Sequence, residues 1–365
     1  MTDSQRTAGA QHAPGRPLAT LTTLRLGGPA RAVVECLDTD SLVRTVRELD
    51  AASEPVLLIG GGSNLVIGDD GFDGTAVVIR SSGIDYRRDG GRPFVTAAAG
   101  TDWDALVADT VAAGYGGLEC LSGIPGAAGT TPVQNVGAYG VEVSDVLRGV
   151  ELLDRRTGET GWVEPESLDL AYRTSKLKGH DDHVVLTVSF WLNDDGVSAP
   201  IAYRELARAL DVAEGAAADA AKVREHVLAL RAGKGMVLDA ADHDTWSAGS
   251  FFTNPIVAES DVAAILARIA ARLGEDVAVP RYGAPTGVKL SAGWLIERAG
   301  FTKGFPGPDA PARLSTKHTL ALTNRGAATT ADLLALAGRV RDGVREAFGV
   351  ELHPEPVFVS CRLPR

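Results

Sequence analysis

The chain has 365 residues and a formal net charge of −11. Its 45% hydrophobic content excludes global disorder, and its charge disfavours a general nucleic-acid binder. Its 42 glycines follow no triple-helix period. The length supports a large core and two or three domains.

Residues 1–19 read as a disordered tail of polar and small residues, without the apolar stretch of a secretion signal. Residues 32–35 (AVVE) predict a strand, and residues 40–52 a helix capped by Asp40 or Ser41, with Leu42, Val46 and Leu49 on one face. Residues 55–59 (PVLLI) predict a buried strand running straight into Gly60, Gly61, Gly62, Ser63, Asn64 and Leu65. Residues 77–79 and 95–99 read as further strands. Thr101-Asp102-Trp103-Asp104 fits a capping box before a helix that Gly114 ends.

Residues 114–140 are too apolar for a flexible linker and too rich in Gly and Pro for a regular element. Strands are expected at 149–153 and 184–191, a low-complexity surface insertion at 211–222, and a short helix at 222–231. Two well-patterned helices close the chain, 260–273 stopped by Gly274 and 330–348 stopped by Gly349, before a strand at 357–361. No internal repeat and no membrane-length apolar run is evident. Cys36, Cys120 and Cys361 show no metal spacing and read as buried reduced thiols, which points to a cytoplasmic protein.

The glycine clusters carry the chemical signal. Gly60–Gly62 follows a strand, and bare N–H groups there form a concave anion site, although a tight structural turn gives the same pattern. The second cluster, from Gly123 through Pro125, Gly126 and Gly129 to Thr130 and Thr131, leads into Gln134, Asn135, Gly137 and Ala138. Small residues there let a flat ring lie on the backbone, while Gln134 and Asn135 offer groups for ring edges. Two such clusters point to a long bipartite ligand such as a dinucleotide. A third cluster surrounds Ser250, aimed by the turn at Gly249 and dried by Phe251 and Phe252. The G-x-S-x-G pattern of a hydrolase fails there. Glu355 lies between two prolines, and Arg173 lies in a basic run. Residues 281–318 hold six Lys or Arg against two acids, a positive island suited to anionic small molecules.

In this order, the motifs resemble the UDP-N-acetylenolpyruvoylglucosamine reductase (MurB) family. They are TTLRLGG at 22–28, LLIGGGSNL at 57–65, GLECLSGIPGAAGTTPVQNVGAYGVE at 117–142 and AYRTSKLK at 171–178. IAYREL at 201–206, SAGSFFTNP at 247–255, VKLSAGWLIE at 288–297, STKHTLALTN at 315–324 and HPEP at 353–356 follow. Leu24 and the Thr130-Thr131 pair depart conservatively from the family pattern.

The resemblance implies an α+β flavoprotein. Its two-subdomain FAD-binding unit would be of the vanillyl-alcohol-oxidase or PCMH type, followed by a C-terminal α+β substrate domain. The implied boundaries are 20–82 (with 350–365 returning to it), 83–235 and 236–349. It implies FAD held by residues 60–65 and by the 123–138 loop, with NADPH as reductant of the flavin. The enolpyruvyl UDP-sugar then takes up a hydride and a proton to give UDP-N-acetylmuramate, a peptidoglycan precursor. Ser250 matches the proton donor. Arg173 and Glu355 match the pair that polarises the substrate carboxylate. Tyr203 matches the tyrosine covering the UDP-sugar, and Lys234, Asn254 and Lys289 match substrate- or NADPH-contacting positions. No metal, nucleic acid or membrane span is implied. An alcohol-oxidising flavoprotein and a non-catalytic nucleotide-binding module are the competing classes.

Overall fold

The computed structural model describes residues 10–364, and the chain divides into two units of interleaved sequence. Met1–Pro17, Pro29–Gly62 and Phe72–Val237 make the first, and Leu18–Gly28, Ser63–Gly71 and Leu238–Arg365 the second. The expected tail lies partly outside the described residues. From Ala10 to Pro14 the chain is a strand, pairing antiparallel with Ala30–Cys36.

The first unit holds two sheets. One has four strands in the order Ala10–Pro14, Ala30–Cys36, Phe72–Ile79, Val56–Ile59, and the last three are parallel. Helix Thr39–Ala51 makes the crossover from Ala30–Cys36 to Val56–Ile59, and Phe72–Ile79 fills the place between those two parallel strands. Its cap is Asp38, two residues before Asp40 and three before Ser41, the caps that the sequence pattern indicated. Asp38 accepts from the Ser41 N–H at 2.7 Å while the Ser41 hydroxyl accepts from the Asp38 N–H. Leu42 and Val46 of this helix are fully buried against the sheet.

The other sheet is antiparallel, in the order Thr160–Val163, Leu147–Asp154, His183–Trp191, Arg92–Ala98, Ile84–Asp89. Helix Trp103–Ala112 packs on it, with the Trp103 and Phe190 rings edge to face at 5.3 Å. Asp102 caps that helix by accepting from Ala105 N–H at 2.8 Å. The third residue of the helix is therefore Ala105, which has no side-chain oxygen to return the bond, so the cap is single rather than a box. The polar edge strand Ile84–Asp89 and the short helix Arg204–Ala209 carry no readable apolar period, and the sequence pattern passes over both. Of the expected 211–222 insertion, residues 211–219 form an excursion with mostly exposed side chains, and Asp219 caps helix Ala220–Gly233, so residues 220–222 are the helix's first turn, with Ala220 buried.

In the second unit, helices Glu259–Leu273, Ala292–Arg298 and Thr330–Phe348 enclose a core containing Phe251, Ile269, Val340 and Phe348. Ser247–Ser250, Ala321–Asn324 and Ala312–Leu314 form one antiparallel sheet, and Ile256–Val257, Gly287–Leu290 and Arg281–Ala284 another. Val357–Val359 pairs parallel with Leu65–Ile67. Thr329 and Asp332 form a reciprocal capping box on the long helix, and Gly349 ends it in the left-handed conformation. Replacing Thr329 by Ala is expected to cost about 1 kcal/mol, read from the midpoint of urea unfolding.

Cys36 and Cys120 are buried free thiols, whereas Cys361 is half-buried. Burial pushes the Cys120 thiol up to about 12, with the nearby Glu119 adding to the shift, so it stays protonated and inert at neutral pH.

Candidate active site

In the first unit, the two glycine clusters meet. A Cβ on Gly61 would lie 2.4 Å from the Gly126 Cα and 3.1 Å from the Ala127 nitrogen. One on Gly60 would strike the Thr130 methyl at 2.5 Å, and one on Gly129 the Ala99 Cβ at 2.5 Å. The bareness of these three glycines thus lets chain segments touch, a use the sequence pattern did not distinguish from ligand approach. Gly126 accepts from the Trp103 N–H and Gly129 donates to Ala99, which straps the loop to its helix and sheet. Thr130 and Thr131 donate their hydroxyls to the carbonyls of Ala127 and Ala128.

Gly62 is buried with φ +62°. Among the described residues, no backbone carbonyl accepts from the N–H of Gly61 or Gly62. Adjacent uncommitted N–H groups beside a wall of bare backbone fit the oxygens of an anionic ligand. Pro125, Gln134 and Ala138 are half-buried along the same loop. Asn135, at 1% exposure, uses its side chain inside the protein. Its amide donates to Glu142 at 2.9 Å and to the Ala171 carbonyl at 3.2 Å, and its oxygen accepts from Ser144 N–H at 2.9 Å. These bonds spend its side chain on shaping the loop.

Arg173 sits against this loop. Its Nη2 donates to the Gly137 carbonyl at 2.7 Å and its Nη1 to the Asn135 carbonyl at 3.3 Å. Lys178 and Ser175 tie the segment down, through the carbonyls of Arg173 and Val133. A second group gathers Tyr203 and Lys234. The Tyr203 ring meets Tyr139 edge to face at 5.3 Å, Lys234 lies 5.9 Å from the Tyr139 centroid, and its ammonium pairs with Glu205. Burial pushes the Tyr139 hydroxyl up to about 12, with Glu205 and Tyr203 adding to the shift, so it remains a donor at neutral pH. Tyr139 and Glu205 were not singled out by sequence. Both lie inside the quoted motifs, but single Tyr and Glu residues give no periodic signal.

The second unit builds around Ser250, the last residue of strand Ser247–Ser250. Gly249 has φ +72°, which turns the chain before the serine. Phe251 and Phe252 are buried at 0% and 1% exposure, with centroids 5.2 Å apart. Residues 251–253 then run antiparallel to 353–355. Glu355 N–H donates to Phe251 O at 2.9 Å, and Thr253 N–H donates to His353 O at 3.0 Å. The pairing places Glu355 one residue across from Ser250. Asn64 joins them by donating to the Glu355 carbonyl at 3.4 Å and accepting from Val357 N–H at 2.9 Å. Ser63 and Leu65 flank it, and Leu65 opens the strand that pairs with Val357.

Asn254 accepts from Ala292 N–H at 2.9 Å at the start of helix Ala292–Arg298, and Lys289 lies on the strand opposite Ile256. The positive island is weaker than its composition implied. One of its six cations, Lys317, is paired with Asp242, an acid outside the counted window.

Residues 30–164 match the FAD binding domain family, and residues 241–359 match the family of the UDP-N-acetylenolpyruvoylglucosamine reductase C-terminal domain. With the fold described above, these matches define an α+β flavoprotein, an FAD-binding unit followed by a C-terminal α+β domain. UDP-N-acetylenolpyruvoylglucosamine reductase of Nocardia farcinica is 65% identical over 95% of this chain and 89% of its own length. The Saccharopolyspora erythraea enzyme of that name is 62% identical over 97% of this chain and 98% of its own. The chain belongs to the UDP-N-acetylenolpyruvoylglucosamine reductase family. The crystal structure of the Thermus caldophilus reductase shares the fold, with a TM-score of 0.62 at 24% identity over 96% of this chain and 98% of that one. Among the described residues, no helix is long and apolar enough to cross a membrane.

Proposed function

We propose that this chain reduces the enolpyruvyl UDP-N-acetylglucosamine ether to UDP-N-acetylmuramate with NADPH, through FAD, in peptidoglycan precursor synthesis. The observation that carries this is the 65% identity to a reductase of that name across 95% of the chain. The N–H groups of Gly61 and Gly62, which no carbonyl accepts from among the described residues, support a place for the FAD pyrophosphate, with Gly60, Ser63, Asn64 and Leu65 also holding the cofactor. Pro125, Gly126, Gly129, Thr130, Thr131, Gln134, Gly137 and Ala138 would line the cofactor, and Asn135 would shape that wall. When bound, FAD supplies the hydride store that couples NADPH oxidation to substrate reduction.

The chain's own groups do the remaining chemistry. Arg173 and Glu355 act on the substrate carboxylate, where negative charge develops as hydride arrives at the terminal alkene carbon. A fixed cation at that point lowers the barrier. Ser250 gives its proton to the carbon left as a carbanion. Tyr203 covers the UDP-sugar, and Lys234, Asn254 and Lys289 contact the anionic ligands. We place the activity in the cytoplasm, and divide the chain into two FAD-binding subdomains, 20–82 and 83–235, and a substrate domain, 236–349.

Purified protein is expected to be yellow, and NADPH oxidation to depend on the enolpyruvyl UDP-sugar. A colourless protein that takes up no added FAD overturns the proposal. Rapid oxygen consumption with a simple alcohol, without NADPH reaction, selects an oxidase instead.

A further inference from the structure

Glu142 is a residue for which the proposed chemistry gives no role, and its surroundings are unusual. Three non-glycine residues adopt left-handed backbone here: Asn135 at φ 44°, Tyr139 at 52° and Arg173 at 56°. Such conformations are strained for residues with a Cβ and persist where the surroundings over-determine them. The surroundings are a closed ring of bonds. Glu142 Oε1 lies 3.4 Å from Arg173 Nη1, and Glu142 Oε2 accepts from the Asn135 amide at 2.9 Å. Asn135 returns its carbonyl to the same Nη1 at 3.3 Å, while Gly137 O takes Nη2 at 2.7 Å. Glu142 is itself fixed, because its N–H donates to Asp145 at 2.7 Å at the start of a helical turn.

The packing is close as well as bonded. A Cβ on Gly137 would lie 2.9 Å from Arg173 Nη1 and 2.8 Å from the Glu142 Cγ. The glycine is the floor on which the guanidinium and the carboxylate lie side by side. An arginine side chain has many rotamers, and that freedom must be lost before it can act in one orientation. A ring that binds both Nη atoms removes that freedom before substrate arrives.

We propose that Glu142 is the positioning residue for Arg173, and that Asn135 and Gly137 complete its cradle. The carboxylate and two carbonyls fix the guanidinium plane. This inference rests on the reading of Arg173 as the cation at the substrate carboxylate.

The two claims separate in one set of stopped-flow measurements on FAD-loaded enzyme. Glu142→Gln keeps an acceptor for the Asn135 amide and removes the charge beside Nη1. It is expected to leave flavin bleaching by NADPH near its normal rate and to slow reoxidation by the enolpyruvyl UDP-sugar about 10- to 100-fold, as a small misplacement of a catalytic group does. Glu142→Asp keeps the charge on a shorter stem and is expected to recover part of that loss. Arg173→Lys should be slow in the same step, and the double variant Glu142→Gln/Arg173→Lys no slower than Arg173→Lys alone. Titrating oxidised enzyme with the sugar and following flavin absorbance gives binding independently of turnover, and Glu142→Gln should weaken it.

If Arg173→Lys reoxidises normally, the reading of Arg173 fails. If Arg173→Lys is slow but Glu142→Gln is normal, or the two losses multiply in the double variant, the positioning inference fails and the reading of Arg173 stands. Equal slowing of both half-reactions by Glu142→Gln and Glu142→Asp, with FAD loss, shows a purely structural role and overturns the inference.

Discussion

Ser250→Ala should bleach normally with NADPH and then fail to be reoxidised by the enolpyruvyl UDP-sugar. A positioned proton donor contributes about 10²- to 10⁴-fold, and the loss in the reoxidation rate is expected in that range. The substitution isolates chemistry from folding for a structural reason. The backbone at this point is fixed by Gly249 at φ +72°, by the buried Phe251 and Phe252, and by the bond from Glu355 N–H to Phe251 O. The serine hydroxyl anchors none of these. A single-turnover stopped-flow experiment separates the two half-reactions, and normal reoxidation would remove Ser250 from the proton-donor role.

Gly61→Ala is expected to be the most damaging single change to cofactor retention. The new methyl would sit 2.4 Å from the Gly126 Cα and 2.8 Å from its carbonyl carbon, and both atoms are main chain. No side-chain rotation relieves that overlap. Either the 60–62 loop or the 123–130 loop must move away, and the proposed FAD wall consists of both. Overpacking of this kind costs about 1–3 kcal/mol, occasionally more. The expected result is protein that purifies largely colourless and melts at lower temperature, with added FAD restoring little of the yellow colour. Gly249→Ala is the useful contrast, because its Cβ would meet nothing within 4 Å and its strain comes from φ alone. It should keep FAD.

Much of this was readable from the sequence, for identifiable reasons. The helices 330–348 and 260–273 have a strong 3.6-residue period, and glycine ends both, so their limits could be placed to within a residue. The motifs around Ser250 and Arg173 were visible because small residues, hydroxyls and charges cluster there without any period. What could not be read was which surface each glycine serves. Gly61 and Gly62 are neighbours of the same type, yet one is bare to let Gly126 approach and the other to reach a left-handed conformation. That difference is set by a segment about 65 residues away. The ring around Arg173 was hidden for the same reason, since its members come from three separate turns. The Asp38 cap was missed because Asp40 and Ser41 offer equally good local chemistry, and only the bond pattern decides.

The pairing of Leu65–Ile67 with Val357–Val359 sets a timetable for synthesis. A ribosome adding about 5–20 residues per second needs roughly 15–60 seconds between making the first strand and making its partner. During that interval the nascent chain carries an apolar strand with an unsatisfied edge, next to the glycine loop. The first unit's segments are complete once Val237 has emerged, whereas the second waits for its last strand. Until Val357–Val359 is made, Leu65–Ile67 is thus an unpaired apolar segment of the kind that exposes a nascent chain to aggregation.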